Sequence, residues 1–68
     1  MSQTTKRALA ASLEKLLAKK PLDKITVIDI VEDCEVNRQT FYYHFEDIPD
    51  LMAWSLRRNF DRVIAQCQ

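Results

Sequence analysis

The stretch ITVIDIVEDCEVNRQTFYYHFEDIPDLM, residues 25–52, decides the fold of this chain. It opens with Thr26, and Asp29 follows three residues later, which is the spacing of a capping box with aspartate in place of the preferred glutamate or glutamine. We predict a helix over about residues 26–34. Because so short a helix is marginal on its own, packing must stabilise it. The residues expected on its inner side are Val27, Ile30, Val31 and Cys34.

A second short helix follows the turn at residues 35–37. Asn37 is a suitable N-cap for a helix over about residues 38–45. Val36, just before that cap, and Phe41, four residues after it, have the spacing of a hydrophobic staple. Phe41 and Phe45 are one turn apart and are expected to face the core together. The outward side is left to Arg38, Gln39, Tyr42 and Tyr43.

The residues before this pair predict a longer first helix. Thr4 or Thr5 can cap its start, and Pro21 cannot continue it, so we expect it over about residues 4–19. Four leucines recur at the spacing of one helix face, namely Leu9, Leu13, Leu16 and Leu17.

A fourth helix is predicted after Asp47, which can cap it. Pro49 falls in its first turn, where the missing N–H costs nothing. We expect Trp54 in the core, closing this helix over the first. The apolar pattern runs almost to Gln68 without a stop signal, so we expect either a longer natural protein or a partner packed on this helix.

Composition supports an all-α fold. The chain has no glycine and two prolines, whereas the tight hairpins of sheet proteins usually need glycine. Its 68 residues are enough for one domain. There is neither a membrane-spanning apolar run nor a signal peptide, and we therefore expect a cytoplasmic protein. Cys34 and Cys67 have only His44 as a further zinc-type ligand, so we expect two unpaired thiols, no metal and no cofactor.

The charges are unevenly distributed. Ten basic and ten acidic residues give a net charge of zero, which weighs against nucleic-acid binding if charge is averaged over the chain. However, no acidic residue lies between Val36 and Phe45. Acids cluster instead on the first of the two short helices, at Asp29, Glu32, Asp33 and Glu35.

Two short helices joined by a brief turn, the second with polar and aromatic side chains, are typical of a helix-turn-helix, although such pairs also occur in proteins that never touch DNA. Residues 25–52 also resemble the signature of the tetracycline-repressor (TetR/AcrR) family of transcription regulators, and the likeness extends over about residues 5–60. The positions that carry it are Thr40, Phe41, Tyr42, His44, Phe45, Asp47 and Leu51.

The resemblance implies a three-helix, homeodomain-like helix-turn-helix DNA-binding domain over residues 1–48. Residues 49–68 would form a fourth helix that links it to a C-terminal domain. The implied partners are a double-stranded DNA operator, a second copy bound through the C-terminal domain, and a small-molecule effector that only that domain would bind. The segment NRQTFYYHFEDIPDLMAW, residues 37–54, is most similar to a branch that includes activators of dihydroxyacetone-kinase operons in Gram-positive bacteria.

Within this motif we expect Arg38 and Gln39 to contact bases, because arginine suits guanine O6 and N7 and glutamine suits adenine N6 and N7. Tyr43 would touch a thymine methyl group or a phosphate, or else pack partly against the protein. Thr26 is first of all a helix cap, and its helix N-terminus can also hold a phosphate. Positions that contact phosphate in members of the family are occupied by Thr40, Tyr42 and His44.

Three positions depart from the family pattern. Glu35 replaces a common turn glycine, Ile48 replaces a lysine that contacts phosphate, and Lys20 replaces a frequent glycine. Together with the zero net charge, Glu35 and Ile48 motivate an alternative, a helical protein–protein interaction module. An enzyme is not expected, because His44 has no companion nucleophile or second histidine. Four further basic residues are expected first of all to be solvated surface charges, with phosphate contacts as the alternative, namely Lys6, Lys24, Arg57 and Arg58.

Overall fold

A computed structural model describes the backbone of residues 3–67 and the side chains of residues 3–61. The described chain is all-α, as predicted, with four α-helices and one 3-10 turn between the first two. The elements in chain order are α1 (Gln3–Leu17), the 3-10 turn (Leu22–Lys24), α2 (Val27–Cys34), α3 (Arg38–His44) and α4 (Ile48–Cys67).

The ends of α1 differ from the prediction. Thr4 and Thr5 lie inside the helix, so neither is its cap. The helix ends at Leu17, about two residues early, because the chain tightens before Pro21: the N–H of Lys19 donates to the carbonyl of Leu16 at 2.9 Å, a 3-10 type bond.

The start of α2 confirms the predicted capping box. The Asp29 N–H donates to Thr26 Oγ1 at 3.1 Å, and the Thr26 N–H donates to Asp29 Oδ2 at 3.0 Å. Lys20 Nζ donates to the same carboxylate oxygen at 2.8 Å. The Lys20 ammonium, followed by the Thr26 N–H, lowers the pKa of Asp29 below its usual 3.8. The cap thus ties α2 to the segment that follows α1.

The turn after α2 places Glu35, which replaces the family's common turn glycine, in the left-handed region, at φ 61° and ψ 43°. The Val36 N–H donates to the Val31 carbonyl at 3.0 Å, which is the long bond of a Schellman motif. A residue with a Cβ has a cost of roughly 1–2 kcal/mol in this conformation. The turn therefore forms correctly but under strain.

Both remaining caps are as predicted. Asn37 Oδ1 accepts the Thr40 N–H at 2.8 Å at the start of α3, and Asp47 Oδ1 accepts the Asp50 N–H at 2.9 Å at the start of α4. Between them α3 ends at His44 rather than Phe45, because Phe45 is already extended, with φ −139° and ψ 150°. This extended residue turns the chain into α4.

The core lies where the four helices meet. Leu9 and Leu13 of α1, Ile30 of α2, Phe41 of α3 and Leu51 of α4 are completely buried. Around them, the predicted core residues Leu16, Leu17, Val27, Val36 and Cys34 are half-buried.

Trp54 was predicted to lie in the core. It is half-buried and covers the edge of the core instead. Its ring packs edge-on against Phe45, with 5.9 Å between the ring centroids. The Trp54 ring thus holds α4 against the extended residue that ends α3. Cys67, Arg62 and the other residues after 61 have side chains outside the described part.

Polar contacts fasten α1 to its neighbours. Lys15 Nζ lies 2.8 Å from Asp33 Oδ1 on α2. On the other side, the hydroxyl of buried Ser55 in α4 donates to Glu14 Oε2 at 2.9 Å. The Lys15 ammonium, and after it the Ser12 hydroxyl, lowers the pKa of Asp33 below its usual 3.8. The acids of α2 are therefore partly neutralised by lysines of, or just after, α1.

We predict that Glu35→Gly stabilises the domain by about 0.5–1 kcal/mol, because the relief of left-handed strain exceeds the added entropy of glycine in the unfolded chain. Urea denaturation followed by circular dichroism measures this change. Glu32→Gly is the matched control: it lies inside α2, where glycine should destabilise by about 1 kcal/mol. Equal destabilisation by both substitutions would show that Glu35 is unstrained.

We also predict a pH dependence from the ion pair at Asp33. Because its pKa is lower in the folded chain, its contribution is present above the usual value of 3.8 and is lost as the pH falls through the lower folded value. Asp33→Asn should therefore lower the free energy of unfolding at pH values well above 3.8, and the deficit should shrink below that value. Urea denaturation at a series of pH values tests this. Glu32→Gln, which removes a carboxylate without an ion pair among residues 3–61, serves as the control. A deficit independent of pH would contradict the prediction.

Candidate nucleic-acid interface

The rotation of α3 about its axis is fixed by the aromatic side chains that it buries. Phe41 and Phe45 face inward, with 6.0 Å between their ring centroids. Tyr42 and Tyr43 follow Phe41 at about 100° and 200° around the helix axis, so their side chains must point away from the core. The predicted outward set is confirmed as exposed, namely Arg38, Gln39, Tyr42 and Tyr43.

The first turn of α3 presents Arg38 and Gln39. Both side chains are exposed, and neither makes a side-chain hydrogen bond or an ion pair within residues 3–61. A guanidinium group with five donors and an amide with donors and an acceptor are thus available at one end of the helix.

Farther along α3, the aromatic side chains stand out from the surface. Tyr43 is 84% exposed and Tyr42 is 53% exposed. The Tyr42 ring packs edge-on against Phe41 at 5.3 Å, and the Tyr43 ring packs edge-on against half-buried His44 at 5.1 Å. These contacts orient the rings, while neither tyrosine hydroxyl has a hydrogen-bond partner among the described side chains.

Thr40 differs from its neighbours because its hydroxyl is already used. It donates to Asn37 Oδ1 at 3.0 Å, beside the backbone cap bond to the same oxygen. A hydroxyl has one proton, so a contact in which Thr40 donates to phosphate requires this bond to break.

Thr26 is likewise used inside the protein and lies on a different element, before α2. Its hydroxyl and its N–H both bond to Asp29, as the capping box requires. Next to this helix end lies the Asp29 carboxylate, paired with Lys20. Thr26 is therefore a structural cap in this state, and a phosphate there would have to approach a carboxylate whose charge Lys20 balances.

Four acids near α3 make contacts within the protein, whereas Glu32, Glu35 and Glu46 form no ion pair within residues 3–61. Asp29 and Asp33 of α2 are paired with lysines. Asp47 and Asp50, just beyond α3, accept backbone N–H groups: Asp50 Oδ2 takes the Glu46 N–H at 3.0 Å, in addition to the Asp47 cap. α3 itself contains no acidic residue, so the acids without ion pairs lie beside this helix and not on it.

One basic cluster was missed by sequence reasoning. Lys6 of α1, taken for a solvated surface charge, has its Nζ 5.9 Å from the Phe45 ring centroid and 5.8 Å from that of Trp54. Arg58 lies 5.9 Å from the same Trp54 ring. These residues are distant in sequence, so no motif or helical spacing could have joined them. Only the packing of α1 on α4 brings them together.

Ile48, at the position of the family's lysine, is half-buried and packs against the core. It supplies no charge there and instead borders an apolar groove with Leu22, Ile25 and Pro49.

Among residues 3–67, none of the helices has both the length and the apolar character needed to cross a membrane. Nor does the described part bring together three or more side chains of the types that ligate metals.

Comparison with known proteins agrees with this geometry. The sequence model of the family described as "Bacterial regulatory proteins, tetR family" matches residues 9–53. The HTH-type dhaKLM operon transcriptional activator DhaS of Lactococcus lactis subsp. lactis (strain IL1403) is 28% identical over 60 residues, which are 88% of this chain and 32% of that protein. The chain thus spans about a third of the length of this curated relative. No solved structure matches this chain significantly.

The family match runs from the first buried leucine of α1, through α2 and α3, into the start of α4. It covers well over half of the chain, and it contains every residue of the outward face of α3. The resemblance noted from residues 25–52 is confirmed. The chain belongs to the tetR family of bacterial regulatory proteins, which are DNA-binding transcriptional regulators.

Proposed function

We propose that this domain binds a double-stranded DNA operator in a sequence-dependent manner, with α3 in the major groove. The observation that carries the proposal is the outward face of α3, which is free of acids and presents hydrogen-bond donors that have no partner among the side chains of residues 3–61. An α-helix fits the width of the major groove of B-form DNA. In a helix-turn-helix the second helix enters the groove while the first crosses the backbone, and α2 and α3 provide such a pair.

Base contacts are assigned to Arg38, Gln39 and Tyr43. Arg38 and Gln39 occupy the N-terminal end of α3, which is the part of a recognition helix that contacts base edges. Both side chains are exposed and have no side-chain partner within residues 3–61, which suits them to bidentate contacts. Tyr43, the most exposed aromatic residue of the helix, is long enough to contact a thymine methyl group or a phosphate.

Phosphate contacts are assigned first to Tyr42 and His44, whose polar groups are not committed to other described residues. Such contacts fix the register of a protein on the duplex without reading its sequence. Thr40 and Thr26 complete the proposed set, and each would have to exchange or share an internal hydrogen bond.

The proposed organisation of the whole protein follows the family. Residues 1–48 form the DNA-binding unit, and residues 49–68 link it to a C-terminal domain that dimerises and binds a small-molecule effector. Two such units would then reach half-sites about one helical turn of DNA apart. Since the relative DhaS is an operon activator by name, we propose that this protein also regulates an operon, in the bacterial cytoplasm.

A protein–protein interaction module is the alternative, and one observation favours it for α4. Leu56 and Phe60 are one turn apart on that helix and are 59% and 65% exposed. An apolar strip of this kind suits packing against another protein segment. The outward face of α3 carries hydrogen-bond donors instead, so the two surfaces suit different partners.

We predict that Arg38→Ala weakens binding to a preferred duplex by about 1–3 kcal/mol and relaxes the preference at one base pair, because it removes a base contact. Tyr42→Ala should weaken binding by about the same factor for every duplex sequence, because it removes a phosphate contact. The preferred duplex is first selected from a random library with the parent chain. Fluorescence anisotropy at low salt then gives the dissociation constants.

Lys19→Gln is the control, since it removes an exposed charge just beyond the far end of α1. Arg38→Ala and Tyr42→Ala variants that bind every duplex as tightly as the parent would exclude the outward face of α3 from the interface. Selection of no preferred sequence would exclude sequence-dependent binding by this domain.

A further inference from the structure

A groove outside the proposed base-reading surface lies where α1, the end of α3 and α4 meet. Its volume is about 250 Å³, and it is lined by Lys6, His44, Phe45, Trp54 and Arg57, with Asp50 and Ala53 on the α4 side. His44 is the one residue that it shares with the proposed phosphate contacts. The groove is therefore adjacent to the proposed DNA-binding surface.

Two aromatic rings hold Lys6 in position in this groove. Its Nζ lies 5.9 Å from the Phe45 ring centroid and 5.8 Å from the Trp54 ring centroid, so two rings attract the ammonium group. The residue is half-buried, and Lys6 forms neither an ion pair nor a hydrogen bond with any side chain of residues 3–61. An oriented ammonium group whose three donors have no partner among these described side chains is suited to bind an anion.

Arginine side chains of α4 add to this charge. Arg57 lines the same groove and also a neighbouring one of about 310 Å³, which Gln3, Arg58 and Asp61 border as well. Neither arginine forms an ion pair within the described side chains. Arg58 is attracted to the Trp54 ring at 5.9 Å.

Two acids oppose these cations. Asp50 lines the groove, but its Oδ2 already accepts the Glu46 N–H at 3.0 Å. Asp61 borders only the neighbouring groove. The groove itself therefore contains two full positive charges, one carboxylate that is partly occupied, and the imidazole of His44 as a further hydrogen-bonding group.

We propose that this groove binds a phosphate of the DNA backbone, with Lys6 and Arg57 as its ligands, next to the phosphate assigned to His44. The inference rests on the proposed function, because the DNA is brought to the groove by α3. A duplex presents phosphates in a continuous row, so a helix end that reaches one phosphate has others nearby. The contact would clamp α1 and α4 to the backbone beyond the C-terminal end of α3.

The salt dependence of binding tests this site. A fluorescein-labelled duplex of mixed sequence and about two helical turns is titrated with the 68-residue chain at several salt concentrations. The slope of log K against log salt is negative, and each neutralised phosphate adds about 0.9 to its magnitude. Because both cations bind the same phosphate, we expect the double variant Lys6→Gln/Arg57→Gln to reduce the magnitude of the slope by about 0.9, and each single variant to reduce it by up to that amount. Lys6→Arg should keep the slope.

Lys19→Gln is again the matched control, because it makes the same charge change roughly 20 Å away along α1 and should leave the slope unchanged. If the parent does not bind the duplex, the proposed function itself is wrong. If the parent binds but the double variant Lys6→Gln/Arg57→Gln behaves like Lys19→Gln, the groove is not a DNA contact, whereas the assignment of α3 still stands.

Two further measurements are needed. One distinguishes a loss of DNA binding from a loss of folding, and the other distinguishes a DNA phosphate from a free anion as the ligand. Thermal unfolding by circular dichroism checks each variant, and exposed Arg57 provides a test that does not depend on the packing of Lys6. Titration with inorganic phosphate, followed by amide chemical shifts, tests whether the groove binds a free anion. Saturable binding of phosphate in the groove, combined with unchanged salt slopes for DNA, would overturn the DNA assignment in favour of a free anion.

Discussion

The burial of Phe41 is the constraint on which the rest of the structure depends. Its ring is fully buried in the core to which α1, α2 and α4 also contribute, and with Phe45 it allows only one rotation of α3 about its axis. That rotation decides which side chains meet solvent, and hence which can meet DNA. Truncating a buried phenylalanine typically costs about 3–5 kcal/mol, a large part of the stability of so small a domain. The proposed interface is therefore a consequence of core packing.

The short helices α2 and α3 hold this arrangement through their ends. Neither is long enough to persist alone, so each depends on a side-chain cap and on burial. Caps at Thr26 and Asn37 begin the two helices, and the strained Glu35 reverses the chain between them. The Thr26 hydroxyl accepts a backbone N–H, and the Thr40 hydroxyl donates to the Asn37 side chain that caps α3. Both threonines are therefore less available to a ligand than their positions in the sequence indicate. Helix capping and phosphate binding compete for these hydroxyl groups.

Much of the fold could be predicted because its signals are local. A cap, a capping box or a helix face involves residues three or four apart, and the predictions for Asn37 and Asp47 were confirmed. The start of α1 was not, since either Thr4 or Thr5 fits a cap and sequence alone does not exclude a helix that begins earlier. Contacts between distant residues, such as Lys15 with Asp33 or Lys6 over Trp54, depend on how helices pack and leave no periodic signal. The outward face of α3 was therefore predictable, whereas the groove beside it was not.

Methylation interference tests most directly the claim that α3 reads DNA from the major groove. Dimethyl sulfate modifies guanine N7, which lies in the major groove and is an acceptor that arginine recognises there, and adenine N3, which lies in the minor groove. On the selected duplex, we predict that N7 methylation blocks binding at one or more guanines, and that this effect disappears at one guanine for Arg38→Ala. Interference confined to adenine N3, or a guanine pattern that is the same for the parent and for Arg38→Ala, would contradict the account.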